Sequence, residues 1–358
     1  MDVNKYEFNS EKTIEGLVDL SEEEIERYSV KPNDLFFTRT SETSDEIGLT
    51  SAYVGNPIKC VFSGFLLRAR PKINLNSLFF AYYLRTPKQR NNIIKFSSIT
   101  TRALISGGNL SKMKINVPTI AEQNKIANLF VILDKKVQLL EKKYQEYQDF
   151  KKYLMQQIFA QKLRFDFTDE WKQYKLKDLL TVKSSSISIN QLEDNAGEYP
   201  LYGASGFLKN IDFCEMETDY ISIVKDGSGV GNLSYHEKNS SIVNTSQYLL
   251  SKKEFDIHFL YYQLQTLNLL KYVNGSSIPH IYFKDYCIEK VTVPNLPEQQ
   301  QIGKLFSDID KTLENINNSI QITQKFKKGL FQQMFGYVHT ILNFCAKICC
   351  IRYFLKFW

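Results

Sequence analysis

The chain has 358 residues, 43% of them hydrophobic, which indicates two globular domains with additional material rather than one domain. The formal net charge of +6 is compatible with a nucleic-acid ligand and equally with an ordinary soluble protein. The six cysteines show no CxxC spacing, so the sequence favours a reducing compartment and predicts no zinc site. The polar first ten residues lack the apolar core of a signal peptide, and we expect a cytoplasmic protein.

A long internal repeat is the strongest pattern in the sequence. Residues 117–159 recur at 293–335 with a constant shift of 176 positions and no gap. Of the 44 positions from 116 to 159, about 18 are identical in the second copy. Each copy begins with Val-Pro, continues with Glu-Gln-x-x-Ile and ends with Gln-Gln-x-Phe. A repeat of this length predicts a duplicated architecture.

Residues 1–118 have the composition of a first globular domain. Short apolar runs predict strands at 35–38, 59–62 and 113–117. Residues 76–84 predict a helix that starts at Asn76 or Ser77 and ends before Pro87. Two polar stretches, 40–45 and 96–108, are predicted loops, and the second contains Arg102.

Residues 119–162 and 295–335 contain the two copies of one long predicted helix. Apolar residues recur at the 4-3 spacing of a heptad seam, interrupted at Lys151 in the first copy and at Thr323 and Lys327 in the second. Because each helix alone would expose this seam, we expect the two to pair as an antiparallel coiled coil that forms a free-standing arm. The predicted seam residues are Ile126, Phe130, Leu133, Val137, Ile302, Phe306, Ile309 and Leu313.

Residues 163–294 form the second predicted domain, with the same layout as the first. Strands are predicted at 220–224, 242–250 and 288–293, and an aromatic helix at 256–270. A Gly-rich turn at 225–232 and a Ser/Gly loop at 273–280 match the two polar loops of the first domain. The predicted fold is therefore α+β, with two α/β domains, two long helices and a pseudo-twofold internal repeat. An apolar tail at 336–358, broken by basic residues, has no counterpart in the first half.

Catalytic motifs are not recognisable in the sequence. The Gly-rich run from Lys225 to Gly231 lacks the Lys-Ser/Thr of a P-loop, since Asn232 and Leu233 follow it. Basic and hydroxyl residues instead gather on the polar loops of both domains, where such side chains contact phosphates and base edges. The predicted DNA contacts are Arg39, Arg68, Arg102, Thr101, Lys225, Ser228, Ser277 and His280.

The repeated arrangement of variable domain, Val-Pro, Glu-Gln-x-x-Ile and Gln-Gln-x-Phe resembles the specificity subunit of Type I restriction-modification systems. The segment 163–171 is similar to that family's entry into a target recognition domain. The resemblance implies that each domain reads one half of a bipartite double-stranded DNA target. It implies that the two helices, with the seam residues named above, set the spacing and dock the modification subunits, most favourably on their polar outer faces. It also implies two modification (methyltransferase) subunits and restriction subunits as partners. S-adenosylmethionine, ATP and magnesium would be used by those partners, and this chain would bind no cofactor.

Two departures from the family pattern accompany the resemblance. The first domain has fewer residues before its central strand than the second, so we expect an N-terminally truncated target recognition domain. The tail at 336–358 is also foreign to the pattern. Two other functions stay open from the residues alone: a coiled-coil adaptor with two protein-binding domains, and an enzyme that uses the Gly-rich turn at Lys225.

Overall fold

The computed structural model describes residues 3, 7–11, 13–14, 16–56, 59–99, 102–192, 195–275 and 278–336. Its contacts divide the chain into unit 1, Met1–Leu140 with Ser319–Trp358, and unit 2, Glu141–Asn318. Each unit contains one globular domain and part of each long helix. The domain boundaries expected from the sequence stay a prediction, and the tail beyond Gly336 lies outside the described residues.

The described part of unit 1 contains two small sheets, one with strand order β1-β4-β2-β5 and one with order β3-β7-β6. Strand β2 is buried along its whole length and is antiparallel to both neighbours, whereas β1 is parallel to β4. The elements are β1 Phe8–Asn9, α1 Glu22–Arg27, β2 Leu35–Thr38, β3 Thr40–Ser41, β4 Thr50–Tyr53, β5 Leu66–Ala69, α2 Ser77–Leu84, α3 Pro87–Lys95, β6 Ser98–Ile99, β7 Ala103–Leu104, α4 Gly107–Leu110 and the start of α5 Ile120–Phe159.

Unit 2 contains a four-stranded sheet of order β13-β12-β15-β9, a three-stranded sheet β11-β10-β14 and the pair β16-β8. Its central strand β12 is fully buried, like β2 of unit 1. The elements are β8 Lys172–Lys175, α6 Leu176–Leu179, β9 Leu180–Ser184, β10 Tyr199–Gly203, β11 Gly206–Ile211, β12 Tyr220–Val224, β13 Leu233–His236, β14 Ser241–Ile242, β15 Ser246–Ser251, α7 Ile257–Gln265, α8 Phe283–Tyr286, β16 Lys290–Val293 and α9 Leu296–Gly336. Two 3-10 turns lie at Ile189–Gln191 and Leu269–Tyr272.

The main sheets of the two units share three strands and differ in the fourth. Strands β4-β2-β5 correspond to β13-β12-β15 in order and direction. The fourth strand lies at opposite edges, β1 next to β4 in unit 1 and β9 next to β15 in unit 2. Consequently β4 is covered on its outer side, whereas no described strand pairs with the outer side of β13.

An aromatic helix follows the sheet in each unit and is held at its start by the repeated Glu-Gln motif. Asn76 caps α2 by accepting from the Phe79 backbone N–H at 3.0 Å, as the sequence predicts. The Gln123 side chain accepts from the backbone N–H of Asn76 at 2.9 Å. Gln299 accepts in the same way from Asp256, the cap of α7, also at 2.9 Å. The repeated glutamine therefore fastens each long helix to the aromatic helix of its unit.

The two long helices run antiparallel within each unit, which confirms the predicted coiled coil. In unit 1 the rings of Phe130 and Phe335 lie 5.7 Å apart, and Asp134, further along α5, pairs with Lys327, which comes earlier in α9. In unit 2 the rings of Phe159 and Phe306 lie 6.0 Å apart. Contacts between late positions of one helix and early positions of the other define an antiparallel pair.

The predicted seam forms the core between these helices and the aromatic helices. Ile126 packs against that core and Val137 is half-buried. The prediction of a free-standing arm is wrong for these segments, because Phe130 packs 5.2 Å from the ring of Tyr82 in α2 and Phe306 packs 5.0 Å from Tyr262 in α7. The buried seam residues are Phe130, Leu133, Ile302, Phe306, Ile309 and Leu313.

The lysines that interrupt the seam form two matching clusters. In each, an aspartate of one long helix accepts a hydrogen bond from a tyrosine of the aromatic helix, at 2.5 Å in unit 1 and 2.7 Å in unit 2. The same aspartate pairs with a lysine of the other long helix, whose ammonium lies 5.8 or 5.0 Å from the tyrosine ring centre. We call these the unit 1 triad (Tyr82, Asp134, Lys327) and the unit 2 triad (Tyr262, Asp310, Lys151).

Two strands expected from the sequence are absent from the described structure. Residues 59–62 make only an isolated bridge between Val61 and Ser29. Residues 113–117 are irregular, whereas their counterpart in unit 2, β16, pairs with β8. The sequence 113–117 has strand character, but a strand needs a partner for its backbone, and the described part of unit 1 supplies none.

Candidate nucleic-acid interface

In unit 2 the Gly-rich turn and the Ser/Gly loop meet and form one surface. The backbone N–H of Gly227 donates to the carbonyl of Pro279 at 2.8 Å, and that of Ile281 donates to Lys225 at 2.9 Å. Residues 225–232, 273–275 and 278–284 therefore form one group, which we call the unit 2 loop cluster. It brings together Lys225, Ser228 and His280, as the sequence predicts, while Ser277 lies outside the described residues.

The side chains of this cluster differ in how free they are to bind a ligand. Ser228 is exposed, and Lys225 is mostly buried with its ammonium 3.5 Å from the Asp226 carboxylate. His280 is half-buried, with Nδ1 3.3 Å from the carbonyl of Ile278. Gly227 has φ of +83°, a conformation that other residues rarely adopt, so the turn requires glycine there.

The structure adds Tyr282 and Lys284 to this surface, two residues that are not among the predicted DNA contacts. The His280 ring lies 5.1 Å from that of Tyr282, and the Lys284 ammonium lies 5.4 Å from the Tyr282 ring centre. Tyr282 and Lys284 are exposed, whereas the intervening Ile281 is fully buried. In the sequence, polar or basic residues alternate with apolar ones from His280 to Lys284, and this pattern could have indicated that Tyr282 and Lys284 are exposed. Stacked aromatic and cationic groups suit contact with bases and phosphates.

In unit 1 the corresponding loops also meet. Strand β3 follows Arg39 directly and pairs with β7, and the backbone N–H of Ile105 donates to the Arg39 carbonyl at 3.0 Å. We call residues 39–45, 98–99 and 102–105 the unit 1 loop cluster. Arg39 and Arg102 are exposed, and Arg102 lies 3.7 Å from the exposed Glu42 carboxylate, a contact that water screens. Thr101 lies outside the described residues.

Arg68 has contacts of a different kind. Its Nη1 donates to the carbonyl of Ser29 at 2.5 Å, and its guanidinium lies 5.1 Å from the Phe62 ring centre. The neighbouring Arg70 makes a two-pronged ion pair with the buried Asp34, at 2.8 and 2.7 Å, and this bond raises the pKa of Arg70. Both guanidinium groups hold unit 1 together, so the assignment of Arg68 to DNA stays a prediction without geometric support.

The Gly-rich turn does not have the geometry of a nucleotide-binding loop. It connects β12 to β13, so a strand follows it where a P-loop or a Rossmann turn is followed by a helix. Within the described residues, no group of three or more His, Cys, Asp or Glu side chains is placed to hold a metal ion. No helix of the described part is long and apolar enough to span a membrane.

Comparison with known proteins identifies the family. The family model described as "Type I restriction modification DNA specificity domain" matches residues 2–148 and 168–324. These two matches cover most of the chain, and the chain belongs to this family.

Individual relatives are distant. The MjaVIII specificity subunit of a Type I restriction enzyme from Methanocaldococcus jannaschii is 29% identical over 47% of this chain and 42% of its own length. The MjaX subunit of the same organism is 25% identical over 48% of this chain and 46% of its own. The chain thus spans less than half the length of these curated relatives. The putative specificity subunit S.MgeORF438P from Mycoplasma genitalium is 22% identical over 91% of this chain and 93% of its own.

A solved structure shares the fold. The crystal structure of a Type I restriction-modification S subunit from M. genitalium matches with a TM-score of 0.64 and 19% identity. The match covers 92% of this chain and 88% of that one. The architecture of two α/β domains and two long helices is therefore one that specificity subunits adopt.

Proposed function

We propose that this chain is the DNA-sequence-specificity subunit of a Type I restriction-modification complex, with each unit reading one half of a bipartite target. The observation that carries the proposal is the pair of loop clusters. Each follows the central buried strand, each meets the loop beyond the aromatic helix, and each exposes cationic and hydroxyl groups. The framework is common to both units, whereas the loop sequences differ, as two different half-sites would require.

The chain itself would be non-catalytic and would bind no cofactor. S-adenosylmethionine for methylation, and ATP and magnesium for cleavage, would be bound by modification and restriction subunits. The support is the family and the strand-to-strand geometry of the Gly-rich turn, which leaves the loop clusters suited to binding. The cytoplasm is the proposed compartment, because that is where duplex DNA and these partner subunits would be met.

The outer faces of the long helices are the proposed docking sites of two modification subunits. Six of the eight seam residues are buried, and the outer faces of the helices are less polar than the sequence suggested. Phe150 of α5 is 50% exposed, and Phe326, its repeat position in α9, is 40% exposed. Aromatic side chains such as phenylalanine are enriched at protein interfaces relative to the rest of a protein surface. The other exposed apolar residues of the described parts of these helices are Ile132, Leu139, Tyr153, Leu296 and Ile322.

Co-expression with the modification subunits, followed by mapping of methylated sites across a genome, tests the proposal. A two-part methylated motif with a fixed gap is the expected result. Phe150→Ala and Phe326→Ala should reduce co-purification of modification subunits while the isolated chain keeps its DNA affinity. Methylation at unrelated sites, or no methylation from an assembled complex, would contradict the specificity role.

A coiled-coil adaptor with two protein-binding domains is the second candidate, and the exposed helix residues would suit it too. The two functions differ in salt dependence. A DNA reader loses affinity for duplex DNA as salt rises, with log K falling by about 0.9 per phosphate contacted for each tenfold increase in salt. An adaptor would show no such binding at low or high salt.

A further inference from the structure

The two triads differ in one contact. In unit 1 the Lys327 ammonium lies 3.8 Å from a second carboxylate, that of Glu7, in addition to Asp134. Glu7 belongs to an extended segment at residues 7–9 that lies beside β4. The backbone carbonyl of Glu7 accepts a hydrogen bond from the backbone N–H of Ala52 at 3.0 Å. Arg85, at the end of α2, donates to the carbonyl of Val3 at 2.5 Å. Unit 1 thus holds an acidic extended segment against its triad and the outer edge of β4.

The same place in unit 2 is an open groove. Lys151 corresponds to Lys327 and Gln265 to Arg85, and both line a groove of about 960 Å³ between α5, α7 and α9. The outer edge of β13, the counterpart of β4, has no strand beside it within the described residues. The positions of Lys327 and Arg85, which contact Glu7 and Val3 in unit 1, therefore line an open groove in unit 2, and the outer edge of β13 has no paired strand within the described residues.

The groove is lined with groups that suit a peptide. Gln263 is 94% buried, since its exposed fraction is 6%, and its Oε1 has no hydrogen-bond partner. Met155 and Phe159 supply apolar surface, and the lysines Lys151 and Lys152 lie beside the carboxylates of Asp310 and Glu314. A buried acceptor without a donor is costly, so a ligand that offers a backbone N–H would relieve it.

We propose that this groove and the outer edge of β13 bind an extended, acidic segment of a partner protein. A carboxylate of the segment would pair with Lys151 as Glu7 pairs with Lys327, and its backbone would bond to β13 as residues 7–9 bond to β4. Adding a strand to a bare sheet edge is a common mode of peptide recognition. The inference does not depend on DNA reading, because the groove is separate from the unit 2 loop cluster in sequence and in lining residues.

The test uses a fluorescent peptide with the sequence of residues 1–11, the segment whose chemistry unit 1 holds. Titrating the full-length chain into this probe without DNA should raise its anisotropy saturably. Changing Glu7→Gln in the peptide should weaken binding about tenfold, because a charge-assisted bond becomes neutral. Gln265→Arg in the protein, which places the group of Arg85 in the groove, should tighten binding severalfold.

The controls separate the groove from the rest of the chain. Lys151→Met should weaken peptide binding about tenfold, whereas Lys142→Met, an exposed lysine of the same helix outside the groove, should leave it unchanged. No saturable binding, or equal affinity for both peptides, would overturn the inference. So would self-association of the unlabelled chain that Lys151→Met abolishes, since the occupant would then be a second copy. None of these results bears on DNA binding, which is measured separately.

Discussion

The two units share the contacts that hold their long helices to the aromatic helices, and they differ in the loop residues that they present to a ligand. The triads, the glutamines that fasten the aromatic helices and the stacked phenylalanines recur at repeat-related positions. The loop clusters share their location but not their residues. Loops of a duplicated chain can change freely only where they make no contact that the fold requires. In both units the long helices and aromatic helices hold the fold, and the loop clusters are left to bind a ligand.

The largest expected effect tests whether the helix contacts of the two units contribute equally to stability. Phe130→Ala and Phe306→Ala each remove a fully buried ring from the contact between long helix and aromatic helix. Each change should lower the free energy of unfolding by about 3–5 kcal/mol, measured by chemical denaturation. Phe150→Ala, on the same helix as Phe130 but half exposed, should cost less than about 1 kcal/mol. A large difference between the unfolding free energies of the two core variants would show that these contacts are not equivalent in the two units.

The second effect distinguishes the units by pH. His236 is buried between Tyr202 and Tyr220, and burial lowers its pKa to about 4 from an ordinary value of 6.5. Below pH 6.5 the unfolded chain takes up a proton on His236 that the folded chain does not. The free energy of unfolding should therefore fall by about 3 kcal/mol between pH 6.5 and pH 4 and should not depend on His236 above pH 6.5. Unit 1 has Tyr53 at the corresponding strand position, and burial raises its pKa to about 12, so it stays neutral throughout this range.

Comparing the unfolding free energy of the natural chain with that of His236→Gln across pH 4–7 isolates this term. The difference between the two chains should change with pH in that window and be constant above it. A parallel pH dependence of both chains would mean that His236 is not the responsible group.

The third effect compares the triads directly. Asp310→Asn leaves Lys151, whose side chain is 16% exposed, without its carboxylate and should cost about 2 kcal/mol, less than a fully buried pair because Asp310 is partly solvated. Asp134→Asn should cost about 1 kcal/mol, since Lys327 retains Glu7. Unfolding curves for both variants, with Glu146→Gln of the exposed pair Lys142–Glu146 as control, measure the difference. Equal costs would remove Glu7 from the explanation.

The smallest effect concerns DNA reading. His280→Ala should weaken discrimination at one half-site and Arg102→Ala at the other, each by about 1 kcal/mol or roughly fivefold. Binding to duplexes with one altered half-site measures this. Lys253→Ala, an exposed cation outside both loop clusters, should change no base preference. Uniform weakening for every duplex would mean that these residues contact only the DNA backbone.

The sequence predicted the long helices closely, because a heptad seam over 40 residues has few alternative interpretations. The first helix was expected within residues 119–162 and spans Ile120–Phe159 in the structure. The cap at Asn76 was also predictable, since capping depends on local chemistry. Strands β4 and β5 were missed because Thr50–Tyr53 and Leu66–Ala69 are short and carry polar or charged residues. Their strand character comes from pairing with β2, which no local window contains.

The triads could not be found from periodicity. Lys151 and Lys327 looked like interruptions of an apolar seam, and their partners lie on the other long helix. Both lysines occupy the same position of the repeat, 176 residues apart, and this recurrence was the sign in the sequence that they have a structural role. The loop clusters were predictable as matching loops, but the roles of individual side chains were not. Arg68 and Arg102 are equally basic in the sequence, and only the structure shows that Arg68 is bonded to Ser29.

The exchange of partners in the triads has a consequence for ancestry. Asp134 of the first repeat needs the lysine of the second repeat, and Asp310 of the second needs the lysine of the first. A chain with a single domain and a single helix could not complete its own triad, but two copies would complete both by exchange. The present gene thus has the form expected from fusion of a symmetric homodimer, whose halves were then free to diverge.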